Sequence, residues 1–181
     1  MRTEIITEAI VRITDSEQEA FTALYRERQG PVYRFALQMT GSPGAAEDVT
    51  QEVFIVLLKG GFDPARGSLG SFLFGIARNV ILRRLEKERA TQPVVDDDYA
   101  DDVDLLGDLT QRETIDQVRR AVLSLPASYR EAVVLCDLQD LSYQDAAAAI
   151  DCPVGTVRSR LNRGRALLAQ KLGAEAARSM R

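Results

Sequence analysis

A basic segment near the C-terminus carries the clearest sign of a binding surface. Residues 154–171 contain five lysines and arginines and no acidic side chain, although the whole chain has a formal net charge of −4. Arginine and amide side chains are groups with which proteins contact the phosphates and base edges of DNA. The local charge therefore indicates a nucleic-acid-binding surface, which the acidic total conceals.

Residue types needed for catalysis and metal binding are scarce. The chain has no histidine and two cysteines, Cys136 and Cys152. Because histidine is the commonest general base and zinc sites are built from histidine and cysteine clusters, we expect no histidine-dependent catalysis, no metal site and no cofactor. Two cysteines also give no reason to expect a disulfide framework. The missing histidine thus removes the commonest general base and every histidine-dependent nucleophile arrangement.

The basic segment is predicted to be the second helix of a helix-turn-helix. Ser142 is placed to cap a first helix over YQDAAAAI, and the short turn DCPVG leads into the basic helix. In such a pair the second helix enters the DNA major groove. The side chains predicted to pack on the domain are Val157, Leu161, Gly164 and Leu168. Those on or beside the opposite face are Arg158, Ser159, Asn162 and Arg163.

The first 92 residues are predicted to form an all-α domain of about four helices. Apolar side chains recur there at spacings of three and four, and no alternating strand pattern occurs. The predicted helices cover DSEQEAFTALYRER, GPVYRFALQMTG, SPGAAEDVTQEVFIVLLKGG and the run from Ser68 to about Arg89. In the third, Ser42 repeats the start signal of a capping serine and the glycine pair marks the end. Pro31 is placed at the first position of the second helix, where its missing N–H does no harm.

Two polar surfaces of this domain are not explained by core packing. Asp48, Gln51 and Glu52 point away from the apolar stripe of the third predicted helix, and a solvated helix surface is the alternative reading. On the fourth predicted helix, Arg78 lies opposite the apolar stripe and Asn79 lies at its margin. A basic tail follows these two residues, and the loop before the helix bears Phe62. Basic side chains beside an aromatic ring suit the backbone and an unpaired base of single-stranded DNA, and ion pairing with the glutamates of the tail is the alternative.

Charge divides the chain into three parts. Residues 1–92 carry 12 basic and 12 acidic side chains, residues 93–110 carry 7 acidic and no basic ones, and residues 111–181 carry 11 basic and 8 acidic ones. The middle part begins with a proline and has no helical period, so it is predicted to be a flexible acidic linker between two small helical domains. No segment approaches the roughly 20 apolar residues that span a bilayer, and the stretch MRTEIITEAIVRITDSEQ lacks an apolar core followed by a small-residue cleavage site. We therefore expect a cytoplasmic protein without membrane insertion.

Two motifs resemble those of one family. LSYQDAAAAIDCPVGTVRSRLNRGRALL is similar to region 4 of the extracytoplasmic-function sigma factors, group 4 of the sigma-70 family. AEDVTQEVFIVLL and FDPARGSLGSFLFGIARNVILRRL are similar to region 2, and the two motifs stand in the family's order around a variable linker. The resemblance implies a sigma factor that binds core RNA polymerase and directs promoter recognition, DNA melting and transcription initiation. It also implies control by an anti-sigma protein and a linker that threads toward the RNA path.

The resemblance assigns roles to individual residues. Residues that match positions facing the clamp helices of the largest polymerase subunit are Asp48, Gln51 and Glu52. Residues at or beside the positions that surround the flipped minus-ten base are Phe62, Arg78, Asn79 and Arg83. In region 4, which binds the minus-thirty-five element and the polymerase flap, the matching residues are Thr156, Arg158, Ser159, Asn162 and Arg163.

The sequence departs from the family pattern at two positions, and two other functions are compatible with parts of it. Many relatives have a tryptophan before IARN, where we expect Phe72 to fill the core, and Cys136 stands where some have a DNA-contacting arginine. A helix-turn-helix regulator that never joins polymerase explains residues 128–171 but leaves the EDVTQEVF helix without a role. A metal-dependent nuclease using the carboxylates of DDDYADDVD requires fixed ligand geometry, which a flexible segment does not supply.

Overall fold

Helices form nearly all of the regular structure in the residues that can be described. The computed structural model describes residues 15–91 and 109–179. The N-terminal helices are α1 (Asp15–Thr40), α2 (Pro43–Leu58) and α3 (Leu69–Thr91). The C-terminal helices are α4 (Leu109–Leu123), α5 (Ala127–Val133), α6 (Tyr143–Ala149) and α7 (Val154–Ser179). A 3-10 turn at Pro64–Arg66 precedes α3, and a π-helical turn at Val134–Leu138 extends α5. These two ranges contain no strand, and the predicted all-α fold class is confirmed.

Serine side chains start two helices at the positions that the sequence predicts. The Ser42 hydroxyl accepts a hydrogen bond from the backbone N–H of Ala45 at the start of α2, at 3.3 Å. The Ser142 hydroxyl does the same for Asp145 at the start of α6, at 3.0 Å. Each bond satisfies one of the N–H groups that the first turn of a helix leaves unpaired. The predicted pair of helices with a short turn is therefore present as α6 and α7.

The predicted helix break at Pro31 is wrong, because α1 continues through it. A proline inside a helix removes one backbone hydrogen bond and costs about 3 kcal/mol. Before the proline, Tyr25 packs edge-on against Phe54 of α2 with ring centroids 4.7 Å apart, and after it Val32 and Phe35 are buried. One apolar side thus stays in phase across Pro31, and its packing outweighs the local penalty. The N-terminal helices number three rather than about four.

The apolar core runs through both halves of the chain. One cluster of buried side chains includes Phe35, Val53, Leu73, Val134, Ala146 and Val157, the first three from the N-terminal helices and the last three from the C-terminal helices. The two halves are therefore in direct contact along α3 and α6. The boundaries 1–92, 93–110 and 111–181 stay a prediction, because most of the acidic linker falls at residues 92–108, outside the described residues.

A glycine sets how closely α7 lies on α5. A Cβ atom added at Gly164 would stand 2.7 Å from Cγ2 of Val133 and 3.3 Å from the carbonyl oxygen of Tyr129. Such distances leave no room for a side chain, so the buried position requires glycine. This close approach fixes the direction in which the opposite side of α7 faces solvent.

Candidate nucleic-acid interface

The side of α7 that faces away from the core presents a polar and basic surface. Val157 and Leu161 are 0% and 1% exposed and anchor the helix. We call the outward surface the recognition face, and its members are Thr156, Arg158, Ser159, Asn162 and Arg163. All of them are exposed except Thr156, which is half-buried. The structure thus brings together on one helix side the five residues predicted to contact the minus-thirty-five element.

Neighbouring side chains orient this surface. The guanidinium carbon of Arg158 lies 5.7 Å from the ring centroid of Tyr143 in α6, within cation–π range. Arg165 donates from Nε to Asp137 at 3.0 Å, and this carboxylate raises the pKa of Arg165. Tyr143, Asp137 and Arg165 were not singled out from the sequence, because the arginine and its carboxylate are 28 residues apart and no helical period relates them.

The acidic side of α2 is paired with the basic side of α3. Arg84 bonds to Asp48 at 3.2 Å and Arg83 bonds to Glu52 at 3.3 Å, while Gln51 is exposed. We call Asp48, Gln51 and Glu52 the acidic face. Both ion pairs are largely open to solvent, where such contacts contribute little stability. The predicted polymerase-facing residues and the predicted minus-ten residue Arg83 therefore form one continuous surface.

A cleft of about 440 Å³ lies between the loop before α3, α3 itself and the C-terminal helices. We call it the strand cleft. Phe62 and Asn79 line it on the N-terminal side, and Ala148, Ala149 and Asp151 line it on the C-terminal side. The Phe62 ring is half-buried against Phe72, with centroids 5.5 Å apart, and Asn79 is exposed. Phe72 is itself half-buried, so the core position expected for it is filled only in part.

Arg78 does not face solvent as its place opposite the apolar stripe predicts. Its Nε donates to Oε1 of Glu131 in α5 at 2.9 Å, and the two side chains are 22% and 4% exposed. Because Glu131 is 53 residues away in the chain, its buried position was not predicted. Three of the four predicted minus-ten residues thus lie along one side of the strand cleft, and the arginine among them is already paired.

Two serines at the start of α3 also contact the C-terminal helices. The hydroxyls of Ser68 and Ser71 donate to Oδ1 of Asp145 in α6, at 2.5 and 2.7 Å. Hydrogen bonds from Ser68, Ser142 and Ser71 hold the pKa of Asp145 below its ordinary value, against the opposing effect of burial. Asp145 is thus a carboxylate surrounded by hydroxyl donors from both halves of the chain. The sequence suggested only its role near the start of α6.

The cysteines and carboxylates in the described parts of the chain form neither a disulfide nor a metal cluster. Cys136 and Cys152 are free, and burial raises the pKa of the Cys136 thiol. Within 15–91 and 109–179, no cluster of three or more histidine, cysteine, aspartate or glutamate side chains is arranged to hold a metal ion. None of the helices in these ranges is long and apolar enough to cross a membrane.

Comparison with known proteins identifies the class of protein that this fold and surface define. The family model for sigma-70 region 2 matches residues 24–91, and the model for sigma-70 region 4 matches residues 115–168. The chain therefore combines the two conserved modules of sigma-70-type transcription initiation factors, in the order that the sequence motifs predict.

Individual relatives show to which group of sigma-70-type factors the chain belongs. The chain is 34% identical over 176 residues to the ECF RNA polymerase sigma factor SigC of Mycobacterium tuberculosis, covering 92% of this chain and 91% of the relative. It is 33% identical over 147 residues to SigE of Mycolicibacterium smegmatis, covering 78% of this chain and 57% of that protein. The chain belongs to the ECF RNA polymerase sigma factors. Members of this family bind core RNA polymerase and promoter DNA.

A solved structure matches the fold across both halves. The sigma factor RpoE from Bartonella quintana, crystallised with the anti-sigma factor NepR, superposes with a TM-score of 0.73 at 25% sequence identity. The match covers 86% of this chain and 98% of that one, so it includes the N-terminal and the C-terminal helices.

Proposed function

We propose that this chain directs core RNA polymerase to a set of promoters through three separate surfaces. The acidic face of α2 docks on the clamp helices of the largest subunit, the recognition face of α7 reads the minus-thirty-five element, and the strand cleft holds a base flipped out of the minus-ten element. The observation that carries the proposal is the presence, in one chain, of both matched sigma regions with these polar surfaces lying outside the core.

The recognition face supports duplex reading by its composition and placement. Two arginines, an asparagine and a serine are exposed along one side of a helix that Val157 and Leu161 anchor. Such side chains form hydrogen bonds to base edges in the major groove and to phosphates beside it. In this proposal region 4 also contacts the polymerase flap. The proposal also divides the chain into two domains, residues 1–92 and residues 111–181.

The strand cleft supports capture of an unpaired base. Phe62 supplies an aromatic ring beside the cleft, and the amide of Asn79 can both donate and accept hydrogen bonds. Taking a base out of the stack costs a few kcal/mol, which a preformed site must offset. Arg78 and Arg83 add positive charge next to this site for the strand backbone.

The acidic face supports docking on a protein rather than on DNA. Asp48 and Glu52 are held by arginines of α3 in contacts that solvent reaches, so a basic partner surface can exchange with those arginines at small cost. Promoter recognition and melting break no covalent bond, so in this proposal the chain is not an enzyme and the polymerase supplies the chemistry. The place of action is then the cytoplasm, where the polymerase works.

Control by an anti-sigma protein completes the proposal. The Bartonella quintana sigma factor that matches the fold over both halves was captured with its anti-sigma factor. We propose a comparable partner for this chain, which occupies the polymerase-binding and DNA-binding surfaces until a signal releases it.

Run-off transcription with core polymerase tests the proposed function. Templates are first selected from a random DNA pool by the assembled holoenzyme, and initiation is then measured with and without this protein. Stimulated initiation supports the proposal. Protection of duplex DNA without polymerase, and no stimulation, would identify a helix-turn-helix regulator, and magnesium-dependent cleavage would identify a nuclease.

A matched pair of variants tests the polymerase-docking surface. We expect Asp48→Lys with Glu52→Lys to abolish co-purification with core polymerase while the helix content stays unchanged, because neither side chain is part of the core. Glu47→Lys is the control, since Glu47 is exposed on the same helix and is not part of the acidic face. Normal co-purification of the double variant contradicts the docking assignment.

A further inference from the structure

Arg165 extends the polar side of α7 beyond the recognition face. Arg158, Asn162 and Arg165 follow one another at spacings of four and three residues, so their side chains lie along one side of the helix. All three are exposed. With a rise of about 1.5 Å per residue, Arg165 lies about 10 Å further along the helix axis than Arg158. The proposed function gives Arg165 no role, although it continues the same basic side.

The carboxylate of Asp137 holds the Arg165 guanidinium in one orientation. Nε of Arg165 donates to Oδ2 of Asp137 at 3.0 Å, and Nη2 donates to Oδ1 at 2.5 Å. Two such parallel bonds fix both the position and the plane of a guanidinium group. Nη1 takes no part in this pair, and the Arg165 side chain is 51% exposed. The group is therefore oriented by one carboxylate and still has N–H groups for another acceptor.

A π-helical turn brings Asp137 to this position. The N–H of Gln139 bonds to the carbonyl of Val134, five residues earlier, at 3.0 Å. A turn of this kind takes in more residues than a turn of α-helix, and it occurs frequently at functional sites. Val134 and Leu135 stay buried within it, while Asp137 reaches α7. Because an ion pair this open to solvent contributes little stability, folding alone does not account for it.

The distance along α7 places Arg165 near the DNA backbone rather than near the bases. In a helix-turn-helix, the first residues of the second helix contact the base edges. The major groove is about 12 Å wide, so a side chain two turns further along that helix lies at the edge of the groove, where the phosphates are. Guanidinium groups bind phosphate oxygens through paired N–H donors. Arg165 therefore has the chemistry and the place for a phosphate contact.

We propose that Arg165 binds one DNA phosphate at the edge of the major groove, and that Asp137 is the positioning residue that orients its guanidinium for this contact. The proposal rests on the proposed role of the recognition face in reading duplex DNA. Phosphate contacts carry no sequence information and set the register and orientation of a protein on the duplex. Arg165 and Asp137 thus fix how α7 enters the groove, and the recognition face reads the bases.

Two carboxylate variants with the same change of charge test the positioning. The assay is binding of the holoenzyme to a labelled promoter, measured by fluorescence anisotropy at several salt concentrations. Asp137→Asn keeps the size of the side chain, but its amide cannot accept both N–H groups of Arg165. Asp140→Asn is the control, because Asp140 is exposed three residues further along and its positive φ of 54° is one that asparagine tolerates.

We expect Asp137→Asn to weaken promoter binding about three- to tenfold, because a free arginine side chain must be ordered when it binds. Asp140→Asn should leave the affinity unchanged or slightly increase it. Both variants remove one negative charge, so attraction to DNA by charge alone predicts the same small gain for each. A loss in Asp137→Asn together with no loss in Asp140→Asn is the result that positioning predicts and charge does not.

Variants of the arginine test the phosphate contact itself. Arg165→Ala should weaken binding about tenfold, since a hydrogen bond to a charged group is lost. The loss should be the same for every promoter sequence, and the slope of log affinity against log salt should fall by about one. Arg165→Lys keeps the charge but cannot form the two-bond pair, so we expect an intermediate loss with an unchanged slope. Asp137→Asn should have no further effect in the Arg165→Ala background.

Other results overturn the proposal and separate it from the function on which it rests. If Asp137→Asn binds as tightly as Asp140→Asn, or still weakens binding in the Arg165→Ala background, Asp137 does not act through Arg165. If Arg165→Ala keeps the wild-type affinity and salt slope while Arg163→Ala weakens binding, the phosphate contact is absent and the recognition face stands. If Arg163→Ala also has no effect, the recognition face itself has failed. If circular dichroism shows Asp137→Asn to be unfolded, Arg165→Lys decides, and wild-type affinity in that variant refutes the positioning.

Discussion

The recognition face of α7 and the surface of α3 along the strand cleft are both predicted to bind DNA, yet they differ in availability. Arg158 and Arg163 are exposed, although the Tyr143 ring lies 5.7 Å from the guanidinium carbon of Arg158. Arg78 is three-quarters buried and bonded to a carboxylate from the other half of the chain. Charge in a sequence thus shows that a surface can attract phosphate, whereas the fold decides whether it is free to do so.

The largest expected effect comes from disturbing the close packing of α7 on α5, which supports the recognition face. Gly164→Leu should destabilise the protein by about 3 kcal/mol, because the new side chain overlaps Val133 and the backbone of Tyr129. Thermal unfolding followed by circular dichroism measures this. Gly155→Leu is the control on the same helix, where an added Cβ meets nothing within 4 Å. Equal stability of the two variants would mean that α7 is not held by this close approach.

A smaller loss is expected from removing one group of the recognition face. Arg163→Ala should weaken holoenzyme binding to the minus-thirty-five element by about 1–3 kcal/mol, because one base or phosphate contact is lost. Binding to core polymerase should not change. Arg119→Ala provides the control, since Arg119 is exposed on α4 and pairs with Asp116 there. Unchanged promoter affinity in a gel-shift assay would show that Arg163 of the recognition face does not contact the minus-thirty-five element.

The strand cleft calls for a test that separates DNA opening from docking. Asn79→Ala should leave the closed complex nearly intact and impair strand separation, measured by permanganate reactivity of promoter thymines. A template already mismatched across the minus-ten element should restore part of the activity, because the cost of unpairing, a few kcal/mol, is removed in advance. Wild-type reactivity of the variant on fully paired DNA would assign the flipped base to another site.

The smallest expected effect is a loss of folding stability at acidic pH. The folded-state pKa of Asp145 is below its ordinary value of 3.8, so its stabilising contribution is complete above that value and is lost as the pH falls through the lower folded value. We expect less than about 1 kcal/mol, because water still reaches this side chain and screens the contact. Urea unfolding across the acid range measures it. Ser68→Ala should reduce the dependence, and a slope unchanged in Asp145→Asn would show that another group causes it.

Local rules account for most of what the sequence predicted correctly. The serine caps of α2 and α6 and the buried positions Val157 and Leu161 depend on residues within one or two turns of the same helix. Such spacings are visible without a fold. The outward direction of the recognition face follows from the same period, because the anchored and exposed sides of one helix are opposite.

Contacts between distant residues decided the rest. The continuation of α1 through Pro31 depends on packing against α2, which outweighs the local signal for a break. The partners of Arg78 and Ser71 lie 53 and 74 residues away, on the far side of the acidic segment 93–110, whose sequence has no helical period. A sequence specifies directly only the interactions whose geometry is set by neighbouring backbone dihedrals. The sequence of this protein therefore determined most of its helices and the outward direction of the recognition face. Only the tertiary structure decided that the surface of α3 predicted to bind DNA is covered, because the covering carboxylates reach it through space.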